Sequence, residues 1–134
     1  MSKELKPKYD FKEVEEGKYD FAIMDIHAEA TGEKLAIAHA YDGKIAVIFG
    51  THTHVMTADA TIMPKGTAYI TDIGMTGPKV SVLGVKPEIS IEWLKTSMPA
   101  RFDTADGECM MNGCIFEVDN KTGKVINIEP VTIE

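Results

Sequence analysis

The chain has no hydrophobic run of the roughly 20 residues that a membrane-spanning helix needs. Its N-terminus, MSKELKPKYD, also lacks the apolar core of a signal peptide. Basic residues are dense only between Lys3 and Lys12, where acidic residues dilute them, and the formal net charge of the 134 residues is -7. An acidic chain repels nucleic acid and anionic lipid. These absences argue against a membrane protein and against binding to a nucleic-acid polymer.

Cysteine is also scarce, with only Cys109 and Cys114 and no C-x-x-C motif. If both lie on one strand, their separation of five places them on opposite faces, which disfavours a disulfide. We expect two thiols in the core, and therefore a reducing, cytoplasmic setting. The motifs G-x-S-x-G and G-x-x-x-x-G-K-[ST] are missing as well, so neither a serine-hydrolase elbow nor a P-loop is predicted.

The chain does contain alternating apolar runs and turn signals that are typical of one α/β domain. Residues 1–18 form a charged lead-in, and we expect residues 19–134 to form the domain. The apolar runs 21–26 and 45–50 predict two strands buried on both faces. Between them, Thr31 is suited to cap a helix and Gly43 to stop it. Strand, helix and strand at this spacing predict a parallel βαβ unit.

Mixed and antiparallel strands with one further helix are predicted after this unit. Short strands near 60–63 and 67–71 flank the turn Pro64-Lys65-Gly66, and TDIGMTGPKVSVLG is a glycine-punctuated loop. Glycine would let the backbone N–H groups of this loop approach an anion, although an ordinary tight loop is the simpler interpretation. A helix is predicted between Pro87 and Pro99. Turn signals at 106–107 and 120–123 predict a three-stranded antiparallel meander in the tail.

Three of the four histidines follow the two predicted central strands. His27 comes just past the first strand, and His52 and His54 come just past the second, in GTHTHV. The carboxyl ends of parallel strands meet at one edge of an open sheet, where ligands usually bind. Imidazoles there predict a site for a transition metal such as iron, manganese or zinc. The alternative is that the His-x-His pair is merely polar loop sequence.

Acidic residues near these histidines are candidates for further ligands or hydrogen-bond partners: Asp25, Glu29, Asp59 and Asp72. Asp25 and Asp72 are also weak candidates for a catalytic role, and the simpler interpretation of Asp25 is that it ends a strand or pairs with a helix terminus. His39 lies in the middle of the predicted helix and is expected to be a half-buried packing residue. A metal site at this edge supports hydrolysis, because a metal lowers the pKa of bound water and neutralises charge on a phosphoryl oxygen.

Three stretches carry a resemblance to a known family: MDIHAEATGEK, GTHTHVMTADATIMPKGTAYITDIGMTGP and SMPARFD. From about Tyr19 to the end, the chain resembles the calcineurin-like metallophosphoesterases, specifically the YmdB-type 2',3'-cyclic-nucleotide 2'-phosphodiesterases. The resemblance implies an α/β sandwich whose two-metal centre, usually described with iron or manganese, hydrolyses phosphodiesters with a metal-bound hydroxide. It matches His27 to the HAEAT motif, matches His52 and His54 to the GTHTH motif, and implies that each is a metal ligand.

The chain departs from that family because its sequence corresponds to the C-terminal half only. It contains no Gly-Asp pair and no Asn-His pair, so the ligands and the general acid of the family's front half are missing. Three interpretations follow. The preferred one is a metal-dependent phosphoesterase acting on small phosphodiesters or phosphotriesters, with its site completed in a homo-oligomer, most simply a dimer. The others are a non-catalytic metal-binding or structural remnant, and the back half of a longer enzyme. The charged lead-in favours a self-standing short protein.

Overall fold

The computed structural model describes residues 19–134, so the predicted lead-in 1–18 lies outside the described residues. The elements are β1 (Ile23–His27), α1 (Thr31–Tyr41), β2 (Val47–Thr51), β3 (Thr61–Ile62), β4 (Ala68–Ile70), β5 (Thr76–Pro78), α2 (Pro87–Thr96), β6 (Cys109–Val118) and β7 (Val125–Ile133). The strands form a four-stranded sheet in the order β1-β2-β4-β3 and a three-stranded sheet in the order β5-β6-β7. The predicted α/β class is confirmed.

The first three elements form the parallel βαβ unit that the sequence predicts. β1 and β2 pair in parallel, with His27 opposite Thr51 at their carboxyl ends. The expected capping role of Thr31 is wrong, because the N-cap is Ala30, whose methyl side chain cannot accept a hydrogen bond. Thr31 is instead the first helical residue. Gly43 follows the end of α1 with φ +83°, a left-handed conformation that suits glycine at this position.

The two parallel strands differ in burial. β2 lies inside the sheet, and Val47 and Ile48 are fully buried. β1 is an edge strand within the described part of the chain, and Ile23 and Phe21 are 57% and 43% exposed. The expectation of burial on both faces is therefore right for the second strand and wrong for the first. Apolar composition alone does not distinguish a central strand from an edge strand.

Two apolar layers cover the four-stranded sheet. On one face, α1 contributes Ala38 to a cluster that includes Ile48 and Tyr69. On the other face, the three-stranded sheet packs through β6 and β7, and the rings of Phe49 and Phe116 stack 6.4 Å apart. The result is a layered arrangement of helix, sheet and sheet. The carboxyl ends of the parallel strands remain at an open edge.

The remaining connections largely follow the turn chemistry of the sequence. β3 and β4 form an antiparallel pair around the predicted turn, in which the Gly66 N–H donates to the Met63 carbonyl. α2 begins at Pro87 as predicted, but none of its residues is buried. Neither α1 nor α2, the helices within residues 19–134, is long and apolar enough to cross a membrane.

The tail differs from its prediction. β6 and β7 form the expected hairpin around the turn at 120–122, but the third strand of the sheet is β5, which precedes α2 in the chain. β5 ends in Pro78 and, among residues 19–134, pairs only with β6; this suits an edge strand because proline has no N–H to donate. Both cysteines lie on β6 and are free thiols, yet Cys109 is exposed, so its predicted core position is wrong.

Candidate metal site at the edge of the parallel sheet

Strand register brings the histidines to one edge. His27 ends β1 directly opposite Thr51, which ends β2, and His52 is the next residue along the chain. The imidazole rings of His27 and His52 meet edge to face, with centroids 5.0 Å apart. The predicted meeting of the two strand ends is therefore present in the structure.

A hydrogen-bond relay fixes the ring of His27. The Thr51 hydroxyl donates to Asp25 Oδ1 at 3.0 Å, since an ionised carboxylate only accepts. His27 Nδ1 lies 3.1 Å from the same hydroxyl oxygen and must therefore supply the proton of that bond. Neutral His27 thus carries its proton on Nδ1 and presents the lone pair of Nε2. Asp25 acts on the histidine through Thr51, in the manner of the outer partners that orient metal-binding imidazoles.

The lone pair of His27 faces His52. His27 Nε2 and His52 Nδ1 are 3.1 Å apart. Two nitrogens that each lie about 2.1 Å from one zinc ion are about 3.0–3.4 Å apart at octahedral or tetrahedral angles. The observed separation therefore fits two ligands of one ion as well as it fits a hydrogen bond. The His27–His52 pair has the donor chemistry and the spacing to bind a metal ion of borderline softness, such as zinc.

His54 does not join this pair. Its Nδ1 lies 2.9 Å from the Leu83 carbonyl oxygen, which can only accept, so Nδ1 carries a proton and the lone pair of the neutral ring is on Nε2. His54 lines an open cleft of about 370 Å³ together with Met75, Leu83 and Phe102. Residues 19–134 contain no set of three or more His, Cys, Asp or Glu side chains arranged to hold a metal ion. The expected convergence of three histidines is thus seen for two.

Asp72 has a different environment from the one that its sequence position suggests. Its side chain is fully buried and accepts hydrogen bonds from Lys34 Nζ at 3.1 Å, Thr53 N at 2.9 Å and Gly74 N at 3.0 Å. Burial raises its pKa, but the Thr53 and Gly74 amides and the Lys34 ammonium lower it by more, so the pKa lies below the ordinary 3.8. Asp72 is therefore an internal carboxylate that holds the histidine loop.

The other acidic candidates and His39 do not reach the histidine pair. Asp59 accepts the Thr71 hydroxyl and the Thr71 amide. Burial raises the pKa of Asp59, and hydrogen bonds from Thr57 and Thr71 lower it to a value below its ordinary one. Glu29 is exposed. His39 is exposed on α1, so its expected half-buried packing role is wrong.

The loop after β4 does not offer its first amides to an anion. The Ile73 N–H donates to the Gly50 carbonyl at 3.0 Å, and the Gly74 N–H donates to Asp72. The simpler interpretation, a tight structural loop, describes these two residues. Another cavity, of about 220 Å³, lies at the opposite end of the sheet, and it is lined by residues such as Ala22, Ala46 and Lys65.

Sequence reasoning overlooked Lys34 and Thr51. Lys34 is fully buried in α1, although lysine is almost never buried without a partner. The available signal was helical spacing, since Lys34 lies one turn before Ala38 on the apolar side of the helix. Thr51 carried no signal, because its role depends on its pairing with His27 across two strands.

Solved structures resemble this arrangement closely. A protein from Thermus thermophilus, described as hypothetical, superposes with a TM-score of 0.83 at 40% identity and covers 88% of this chain and 46% of its own. A structure described as a novel phosphatase from Mycoplasma pneumoniae gives a TM-score of 0.82 at 49% identity, covering 85% of this chain and 41% of its own. The fold is therefore that of about half of a calcineurin-like phosphatase sandwich.

Sequence comparison identifies the family. The family model described as YmdB-like protein matches residues 6–131, and the chain belongs to this family. A curated relative, the 2',3'-cyclic-nucleotide 2'-phosphodiesterase of Bacillus subtilis (strain 168), is 48% identical over 113 residues. The match covers 84% of this chain and 43% of the relative, so the chain spans less than half the length of that protein.

Proposed function

We propose that this chain forms part of a metal-dependent phosphoesterase that hydrolyses small phosphodiesters or phosphotriesters. The observation that carries the proposal is the 3.1 Å approach of His27 Nε2 to His52 Nδ1 at the open edge of the sheet. Relatives named as phosphodiesterase and phosphatase support the class of reaction. A transition metal such as iron, manganese or zinc, when bound there, would acidify water and neutralise charge on a phosphoryl oxygen.

The residues of this chain have defined tasks in that proposal. Asp25 and Thr51 hold the His27 ring so that the neutral imidazole carries its proton on Nδ1 and turns Nε2 towards the metal position. The Leu83 carbonyl does the same for His54, whose Nε2 is a candidate ligand for a further metal position. The cleft beside His54 gives an ester substituent a place to bind. Asp72, which the sequence suggested as a weak candidate for a catalytic role, does not contact the substrate in this proposal.

The ligand set must be completed by groups beyond the His27–His52 pair, and we propose that a second copy of the chain supplies them in a homo-oligomer, most simply a dimer. β1 offers an unpaired edge within the described residues, where Ile23 is exposed, and Phe21 is exposed just before the strand begins. Unpaired edges and exposed apolar side chains favour association with another chain. We also propose a reducing, cytoplasmic location, which the free thiols of Cys109 and Cys114 suit.

Metal content tests the ligand pair. Elemental analysis of protein purified without chelator should find iron, manganese or zinc. A His27→Ala, His52→Ala double variant should lose it, because both facing nitrogens are removed. His39→Ala is the matched control, since His39 is an exposed histidine on α1, and its metal content should equal that of the parent. Full metal content in the double variant would refute the pair as the ligand set.

Hydrolysis tests the reaction class. Bis(p-nitrophenyl) phosphate should be cleaved in a metal-dependent manner, and dialkyl phosphates should react far more slowly. The reason is that nitrophenolate leaves without protonation, whereas an alkoxide needs a general acid. Equal rates for both leaving groups would show that the chain has an acid of its own. Metal binding without turnover of any ester would favour the alternative, a non-catalytic metal-binding remnant.

Mixing two inactive variants tests the shared site. His27→Ala and His54→Ala chains, each inactive alone, should recover part of their activity when they are mixed and allowed to exchange subunits. Mixed dimers that form without any activity would instead assign each site to a single chain.

A further inference from the structure

The Lys34 side chain extends from α1 to the base of the histidine loop. Its ammonium nitrogen is fully buried and lies 2.9 Å from the Thr51 carbonyl, 3.1 Å from the Thr71 carbonyl and 3.1 Å from Asp72 Oδ2. An ammonium group has three N–H donors, and here each has an acceptor. This lysine therefore has a complete set of partners, and all of them lie at the carboxyl ends of β2 and β4.

Asp72 extends the same network to the other side of His52. Its Oδ2 atom accepts both the Lys34 ammonium and the Thr53 N–H, the latter at 2.9 Å. The Lys34–Asp72 ion pair therefore holds Thr51 through its carbonyl and Thr53 through its amide. These are the two residues that flank His52 in the chain.

His52 is in a backbone conformation that needs such restraint. Its φ is +125°, in a region that residues with a Cβ atom rarely adopt. A strained residue persists only where its surroundings over-determine it. The restraint on both neighbours supplies that condition.

Buried ion pairs are poor devices for stability alone, because desolvation offsets much of their attraction. A lysine buried solely to attach α1 to the sheet would be replaceable by an apolar residue of similar size. We infer that the Lys34–Asp72 pair positions His52: it fixes the strained backbone so that His52 Nδ1 faces His27 Nε2. The inference deepens the proposed function, because His52 is there a metal ligand.

Glycine at position 52 reports the backbone strain directly. Comparing His52→Gly with His52→Ala removes the imidazole from both proteins, so the difference in their melting temperatures measures the cost of holding a Cβ atom at φ +125°. With Lys34 and Asp72 intact, His52→Gly should melt roughly 3–6 °C above His52→Ala. Glycine also affects the unfolded chain, but this effect is the same whatever residues stand at positions 34 and 72. It therefore cancels when the glycine–alanine difference is compared between proteins that differ at those positions.

The same comparison is then made with Lys34→Met and, separately, with Asp72→Asn. Either change releases the loop, so the backbone of the His52→Ala variant can relax. The difference in melting temperature between His52→Gly and His52→Ala should then fall to less than half of its value with Lys34 and Asp72 intact. Asp42→Asn is the matched control: Asp42 is also a buried carboxylate that accepts backbone amides, from Lys65 and Thr67, but at the opposite end of the sheet. An undiminished difference in the Lys34→Met and Asp72→Asn backgrounds would overturn the inference.

Two further measurements complete the test. In the unmodified protein the Thr53 amide should exchange with solvent as slowly as that of Ile48 in β2, and rapid exchange would also overturn the inference, even if no variant folded. Zn²⁺ alone, titrated calorimetrically, should bind at least roughly tenfold more weakly to Lys34→Met than to Asp42→Asn. Equal affinities would contradict positioning of a ligand. The melting and exchange measurements need no metal, so absence of metal binding from the parent would refute only the proposed function.

Discussion

Gly50, the residue that begins GTHTHV, is expected to tolerate no side chain. A Cβ atom placed there would lie 1.9 Å from the Thr71 carbonyl oxygen, 2.9 Å from the Thr71 carbonyl carbon and 2.8 Å from Lys34 Cδ. The carbonyl atoms belong to the main chain, so no rotamer change can move them away. In the same region, where β2 lies against the chain that follows β4, the Ile73 N–H donates to the Gly50 carbonyl at 3.0 Å.

The loss of stability expected for Gly50→Ala follows from these distances. Non-bonded heavy atoms are most stable about 3.5–4.0 Å apart, so Gly50→Ala requires β2 and the chain after β4 to separate by more than an ångström. Overpacking in a core typically costs about 1–3 kcal/mol and sometimes more. Gly50→Ala should therefore cost at least roughly 3 kcal/mol out of a total stability of about 5–15 kcal/mol. The melting temperature should fall by about 10 °C or more.

Gly32→Ala is the matched control, because Gly32 lies in the first turn of α1 and a Cβ atom there meets nothing within 4 Å. Alanine favours the helix, so Gly32→Ala should raise stability by up to about 1 kcal/mol. Urea unfolding followed by circular dichroism measures both changes. A Gly50→Ala protein with the same unfolding midpoint as the parent would refute the close approach of Thr71 to Gly50.

Three further results are expected. The pKa of Asp72 is lowered in the folded state, so its contribution to stability is present above pH about 4 and is lost as pH falls through that lower pKa. Asp72→Asn should therefore flatten the pH dependence of the free energy of unfolding in urea below about pH 5. An unchanged pH dependence in this variant would contradict the lowered pKa. Burial raises the pKa of the Cys114 thiol, so a maleimide should modify exposed Cys109 first, as mass spectrometry of early time points would show; initial labelling of Cys114 would contradict the burial. Light scattering at micromolar concentration should give about twice the chain mass of 14.7 kDa, and a monomer of 14.7 kDa would contradict the proposed dimer.

Local sequence signals predicted most of the fold. The βαβ unit, the turn at Pro64-Lys65-Gly66, the start of α2 and the β6–β7 hairpin all follow from short-range rules about apolar runs, glycine and proline. The misplaced third strand, β5, shows where such rules stop. Its three residues, Thr76–Pro78, look like part of a glycine-rich loop, and only pairing with distant β6 makes them a strand.

The sequence predicted that the candidate site lies at the ends of the parallel strands, but it did not predict the positions of the side-chain atoms there. Topology alone brings His27 and His52 to the same edge, since parallel strands share their carboxyl ends. The direction of His54 depends on the Leu83 carbonyl, 29 residues away in the chain. Metal binding and catalysis at this edge stay predictions.

The sequence by itself determined where most of the helices and strands lie and which edge of the sheet carries the histidines, because both follow from local spacing and from the rule for parallel connections. Tertiary structure alone decided which partners surround the buried Lys34 ammonium and that Asp72 faces inward. These two residues are 38 positions apart, and their pairing requires α1 to pack across the sheet and Gly50 to leave room for the lysine stem. A side chain's type sets its desolvation cost, but only the folded neighbourhood determines whether partners offset that cost.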